Sequence, residues 1–174
     1  MKMVECDFCR FADSEFVVFE DAKVVAVLTQ SPANPGHVIV VPREHFTILE
    51  QVPDFVAGHL FAVANRISTA MFEVLRSTGT NIIVENGVCA GQKIPHLGIN
   101  IIPRMENDGL GFAWPPLKLS EDDFSNAEFQ LKEASKNVGS FEKEKPVAIN
   151  ADKKEELLSP DEDDYLVRQL RRIP

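Results

Sequence analysis

Residues Thr80–Arg104 read TNIIVENGVCAGQKIPHLGINIIPR, and the closing run decides the fold. From His96 the residues alternate strictly. Leu97, Ile99 and Ile101 share one face, while His96, Gly98 and Asn100 share the other. An apolar face packs on a core. The opposite face then presents an imidazole, a bare backbone position and an amide, directly after the turn Ala90-Gly91-Gln92. This pattern predicts a strand that starts at His96 and forms one wall of a site.

The chain before this stretch supplies the rest of a sheet. Phe16–Glu20 and Lys23–Leu28 are rich in Val and Phe and flank Asp21-Ala22, which predicts an antiparallel hairpin. A loop punctuated by Pro32, Asn34, Pro35 and Gly36 leads into a third strand, His37–Pro42, and His45 follows in a polar turn. Pro53 suits the first position of a helix. Phe55, Val56, Leu60, Val63, Ile67, Met71, Val74 and Leu75 then recur at helical spacing to about Arg76, with Gly79 as the expected C-cap. His59 falls within this helix as a surface or boundary residue. Thr80–Glu85 makes a fourth strand, and Asn86-Gly87 turns the chain. Together these predict an α+β fold: a five-stranded antiparallel sheet with one long helix.

Beyond Arg104 the character changes. Trp114-Pro115-Pro116 marks a loop, and Ser120 with Asp123 forms a capping pair for a helix to about Lys136. Residues 138–158 mix Lys and Glu and read as a loose linker. Ser159-Pro160-Asp161-Glu162 opens a tail helix that docks on this chain or a partner. The expected divisions are therefore 1–116 for the domain, 117–137 for a C-terminal helix, 138–158 for the linker and 159–174 for the tail.

Bulk properties narrow the function classes. The 174 residues carry a net charge of -9, which disfavours nonspecific binding to a nucleic-acid backbone. No apolar run approaches the roughly 20 residues of a membrane span. No charged-then-apolar leader opens the chain, so a cytoplasmic location is expected. Three cysteines, Cys6, Cys9 and Cys89, are too few and too odd in number for a disulfide framework. The spacing Cys6-Asp7-Phe8-Cys9 leaves three readings open: half of a metal site, a redox pair, or two ordinary thiols.

The sequence resembles the histidine triad (HIT) family over roughly residues 6–116. The resemblance rests on the opening C-x-x-C, Pro32 to His37, Val41-Pro42-Arg43-Glu44-His45, Asn81 through Asn86-Gly87, Ala90-Gly91-Gln92, and the alternating run ending Ile102-Pro103-Arg104. It implies the HIT fold and a nucleotide site for a purine nucleotide or nucleoside phosphate, contacted by Asn34, His37, Asn86, Gly91, Gln92, Lys93, Gly98 and Asn100. It implies structural zinc held by Cys6, Cys9, His45 and His96, and the donor chemistry agrees, because two thiolates and two imidazoles make a closed tetrahedral site. It also implies a homodimer built on the long helix and a shared sheet.

The resemblance breaks where the family does its chemistry. Active members attack the α-phosphorus with the middle triad histidine, and this chain has Gly98 there. Asn100 replaces the third histidine and can hydrogen-bond but not titrate. Thr29 stands where an aspartate commonly meets the ribose, and Lys93 where a serine or threonine meets phosphate. The expectation is a nucleotide-binding protein without covalent hydrolase activity. One alternative is an active hydrolase or transferase with His37 as base, Lys93 on the phosphate, and Gly98 making room for substrate. Another is an interaction module that recruits a partner through the C-terminal arm.

Overall fold

The computed structural model describes residues 6–145. The chain divides into two units, Met1–Lys143 and Glu144–Pro174, and the first carries all the elements below. The expected tail helix and most of the expected linker lie outside the described residues.

Two strands form the centre of the sheet. β2 (Val24–Leu28) and β3 (Val38–Pro42) pair antiparallel in register from Val24↔Pro42 to Leu28↔Val38. Their β-branched residues are buried on both faces, as expected for a strand covered on each side. β1 (Val17–Glu20) joins β2 through a short turn in which the Asp21 carboxylate accepts from the Lys23 and Val24 amides at 2.8 and 2.9 Å. β5 (Ile99–Arg104) pairs with β3, and β4 (Gly79–Val84) closes the far edge. The order is β1-β2-β3-β5-β4, antiparallel throughout, which is the five-stranded antiparallel sheet with helical cover expected from the sequence.

Helix α1 (Asp54–Val74) covers one face. Val56, Leu60, Val63, Ala64 and Met71 interlock with Val24, Ala26, Val38, Val40, Leu97, Ile99 and Ile101. Full burial of each such large side chain contributes about 1.5–3 kcal/mol. The other face carries a smaller cluster of Val25, Val27, Ile39 and Val41, on which Phe8, Phe11 and Val17 pack. Phe8 and Phe11 come from a 3-10 turn, Phe8–Asp13, which begins at the second residue of the C-x-x-C spacer.

Most strand ends move by one residue, and the ends of α1 and the start of the fifth strand shift for identifiable reasons. Pro53 is the N-cap of α1 rather than its first helical residue. The helix closes not at Gly79 but on Arg76, which takes a left-handed conformation at φ +53°, while the Ser77 amide returns to the Met71 carbonyl. Gly79 instead opens β4 opposite Arg104. The fifth strand starts at Ile99, not His96, because the Leu97 amide donates to the Phe46 carbonyl at 2.7 Å and the His96 amide folds back to Ile94. The alternation survives this shift: Leu97, Ile99 and Ile101 are buried against α1.

Helix α2 (Glu121–Ala134) begins at Ser120, whose hydroxyl accepts from the Asp123 amide at 3.1 Å. None of its residues is buried, and Phe124, Phe129 and Leu131 are among those exposed. Among the described residues no helix is long and apolar enough to cross a membrane.

Candidate functional site

Two features occupy the face of the sheet away from α1: a cysteine–histidine cluster and, beside it, an open cleft.

Cys6, Cys9, His45 and His96 converge from three parts of the chain, with their donor atoms within 4.8 Å of one another. The 3-10 turn brings the cysteines together, the Cys9 amide bonding the Cys6 carbonyl at 3.1 Å. The turn after β3 supplies His45, whose Nδ1 lies 3.3 Å from the Cys9 sulfur. His96 comes from the approach to β5 and meets the His45 ring edge-on at 4.8 Å. His96 is buried, and its Nδ1 donates to the Leu97 carbonyl at 3.0 Å. That bond fixes the tautomer and leaves Nε2 with a lone pair, and Nε2 is buried without a hydrogen-bond partner. An unpaired buried acceptor costs about 1–3 kcal/mol, so its orientation calls for an electrophile. Burial lowers the His96 pKa, and the nearby His45 lowers it further, keeping the neutral form that a metal requires. Burial and the adjacent Cys6 sulfur push the Cys9 thiol up. The donor set and the orphaned nitrogen therefore fit a tetrahedral zinc ion.

The cleft has a volume of about 850 Å³. It brings together His37, Gln92, Lys93, Gly98 and Asn100 from the expected nucleotide set, with His96 on the same wall. Its apolar floor includes Phe8, Phe11, Val27 and Ile39. His37 is buried and held at both nitrogens. Nδ1 accepts from the Ala33 amide at 3.2 Å, so Nε2 carries the proton and donates to Asn100 Oδ1 at 3.1 Å. Burial lowers its pKa. His37 thus positions Asn100 and has no free lone pair with which to act as a base.

The other expected contacts lie elsewhere. Asn34 does not line the cleft; its amide donates to the Pro103 carbonyl and to Asp108 at 3.0 and 2.9 Å. Asn86 is likewise spent on scaffold, accepting from the Leu49 amide and donating to Glu50. Gly91 takes a left-handed φ of +98° beside Glu85, shaping the turn without lining the cleft. Gln92 reaches the lining, yet its amide is already used by the Gly87 amide and the Thr47 and Ile94 carbonyls. Sequence reasoning missed Arg10, Asp13, Ser14 and Gln30 as lining residues. Their proximity to the C-x-x-C spacer and to Thr29 was the available signal. Gly98 does not leave open room for a substrate, because a Cβ there would lie 2.9 Å from Phe8 Cε2.

Comparison with known proteins agrees with this geometry. The HIT domain profile matches residues 10–107. The chain is 34% identical over 109 residues to an Arabidopsis thaliana protein named adenylylsulfatase HINT3, a stretch that spans 61% of this chain and 55% of that one. A HIT family protein of Bacillus subtilis superposes with a TM-score of 0.69 at 28% identity, covering 75% of this chain and 96% of that structure. A histidine triad family protein of Mycobacterium smegmatis, described as zinc-bound, superposes with a TM-score of 0.58 at 29% identity, covering 75% of this chain and 97% of the other. The profile covers more than half of the chain and the sheet order is that of the superposed structures' fold, so the chain belongs to the HIT domain family.

Proposed function

We propose that this protein binds a purine nucleotide or nucleoside phosphate in the cleft without forming a covalent nucleotidyl intermediate. The observation that carries the reading is Gly98. A displacement at phosphorus through an enzyme nucleophile needs a reactive side chain there, and this position has none. Lys93 and Arg10, both on the cleft lining, supply the positive charge for a phosphate. Asn100, oriented by His37, supplies a hydrogen-bonding amide. Cys6, Cys9, His45 and His96 hold structural zinc; the ion, when bound, is a closed cross-link and leaves no open position for a reacting water.

Relocated hydrolysis through His37 is the weaker reading, since both of its nitrogens are engaged. An adjunct role as an interaction module is favoured by the C-terminal arm, where Trp114, Leu117, Phe124 and Phe129 are exposed. Phe61, Phe72 and Val74 on α1 and Ile82 on the edge strand β4 are also exposed, which supports a homodimer across the helix and that edge. Three cysteines with no disulfide among them, two of them offered to a metal, support a reducing, cytoplasmic setting.

Thermal unfolding with AMP or GMP tests the binding claim. Nucleotide at a hundredfold excess over its Kd stabilises the native state by about 2.7 kcal/mol, whereas no shift at millimolar nucleotide refutes the reading. Intact-mass analysis after incubation with adenosine phosphoramidate tests the second half. Unmodified protein and no turnover are expected; an adduct or rapid cleavage overturns the claim.

A further inference from the structure

Glu85 puts a negative charge on the cleft wall. It follows β4, whose register with β5 runs from Gly79↔Arg104 to Val84↔Ile99. One step further along that register Glu85 stands across from Gly98, and both line the cleft. Cross-strand neighbours project from one face of a sheet, so the carboxyl belongs to the wall that carries Gly98 and Asn100. The side chain is exposed and lies over the Ala90-Gly91-Gln92 turn, with Oε1 3.5 Å from where a Cβ on Gly91 would stand.

Nothing neutralises this charge. Among the described residues the Glu85 carboxylate makes no hydrogen bond and no ion pair, and neither does the Lys93 ammonium. The Glu85 charge reaches His37, where it opposes the burial that lowers that pKa, and His37 in turn holds Asn100. Around the lining Asp7, Asp13 and Glu85 are acidic, Arg10 and Lys93 are basic, and burial keeps His37 and His96 neutral. The lining thus carries one more negative charge than positive. A terminal phosphate brings about -1.5 to -2 of its own at neutral pH. Arg10 and Lys93 answer that charge, and Glu85 opposes it from the wall beside Asn100.

We infer that Glu85 determines specificity in the cleft: it disfavours a bare terminal phosphate and favours a nucleoside phosphate that carries a positive group at its phosphate end. That group is either a divalent cation bound to the phosphates or an ammonium attached to them. A single carboxylate together with phosphate oxygens is a common way to hold Mg2+, which seldom takes an all-protein cage. An ammonium finds a charge-assisted hydrogen bond at the same carboxylate. This role rests on the nucleotide reading given above.

Titration calorimetry on the full, zinc-loaded chain tests it with two matched pairs: AMP against its 2-aminoethyl ester, and ADP against ADP with Mg2+. Mg2+ is omitted from one arm and not chelated, because a chelator would also draw on the cysteine–histidine cluster. Glu85→Gln removes the charge at an exposed position. Glu73→Gln, exposed on α1 and so on the other side of the sheet, makes the same change in net charge. The unaltered chain is expected to prefer the cation-bearing member of at least one pair by roughly tenfold, the effect of one or two close unit charges in water. Glu85→Gln should remove most of that preference, chiefly by tightening the bare anion, and Glu73→Gln should not. High salt should narrow the gap in the unaltered chain. Preference within the ester pair alone identifies an ammonium, and within the ADP pair alone a divalent cation. Equal affinities within both pairs, or a preference that survives Glu85→Gln, would overturn the role of Glu85 while leaving nucleotide binding intact. If no nucleotide binds in any form, the nucleotide reading and this specificity fall together.

Discussion

If Cys6, Cys9, His45 and His96 hold zinc as proposed, removing it should cost this protein more than any single surface change, and the size of the loss can be bounded. A ligand that binds only the native state at a thousandfold excess over its Kd stabilises by about 4 kcal/mol. Part of that loss is visible in advance. His96 Nε2 is buried with no hydrogen-bond partner, so without an ion it carries a desolvation penalty of about 1–3 kcal/mol. For a unit of this size each kcal/mol moves Tm by about 3–4 °C, so full zinc removal should lower Tm by at least about 12 °C. The assay is thermal unfolding under a thiol reductant, with ortho-phenanthroline as chelator and the non-chelating meta isomer as control, beside elemental analysis of the protein. Cys6→Ser, Cys9→Ser, His45→Gln and His96→Gln should each produce most of the loss, and pairs of them little more, because the four act as one unit. Protein that is purified without zinc and melts identically in both isomers would refute the argument.

Two further outcomes follow from local geometry. Arg76→Gly should raise stability by roughly 0.5–1 kcal/mol, because it relieves a left-handed residue at the close of α1; a lower denaturation midpoint would contradict this. Hydrogen bonds from the Arg104 guanidinium to Asp108, at 2.6 and 2.7 Å, hold that carboxyl well below the usual carboxylate range, with help from the Leu110 amide. A carboxyl depressed in the folded state stabilises above its unfolded pKa of about 4, and that contribution is lost as pH falls towards the folded value. Asp108→Asn should therefore lower Tm at neutral pH and flatten the acid limb of the stability profile; parallel acid limbs for the two proteins would count against it.

The sheet was legible because its signal is local. β2 and β3 announce themselves as β-branched runs ended by Leu28 and Pro42, and the alternation after His96 places Leu97, Ile99 and Ile101 on the α1 side without knowledge of any partner. Boundaries set by single hydrogen bonds were not legible. Nothing in the sequence says that the Leu97 amide would go to Phe46, or that Arg76 would take the left-handed conformation expected of Gly79. The cysteine–histidine set could be assembled from residue types and family resemblance. The lining of the cleft could not. Asn34 and Asn86 look like ligand contacts in sequence, but distant partners such as Asp108 and Glu50 claim their amides. Phe8 carries no periodic signal, and its neighbour Gly98 lies at the far end of the domain sequence, so their contact exists only in the fold.

The cluster also has a bearing on how the chain comes into being. Its first donor is Cys6 and its last is His96, with His45 about midway. A growing polypeptide offers only a bare dithiol until the segment before β5 has left the ribosome, and separations of this length make for late closure. If the four residues hold zinc as proposed, metal capture waits until well over half of the 174-residue chain has been made, and the Cys6–Cys9 pair spends that interval exposed to oxidants and to rival thiophilic ions.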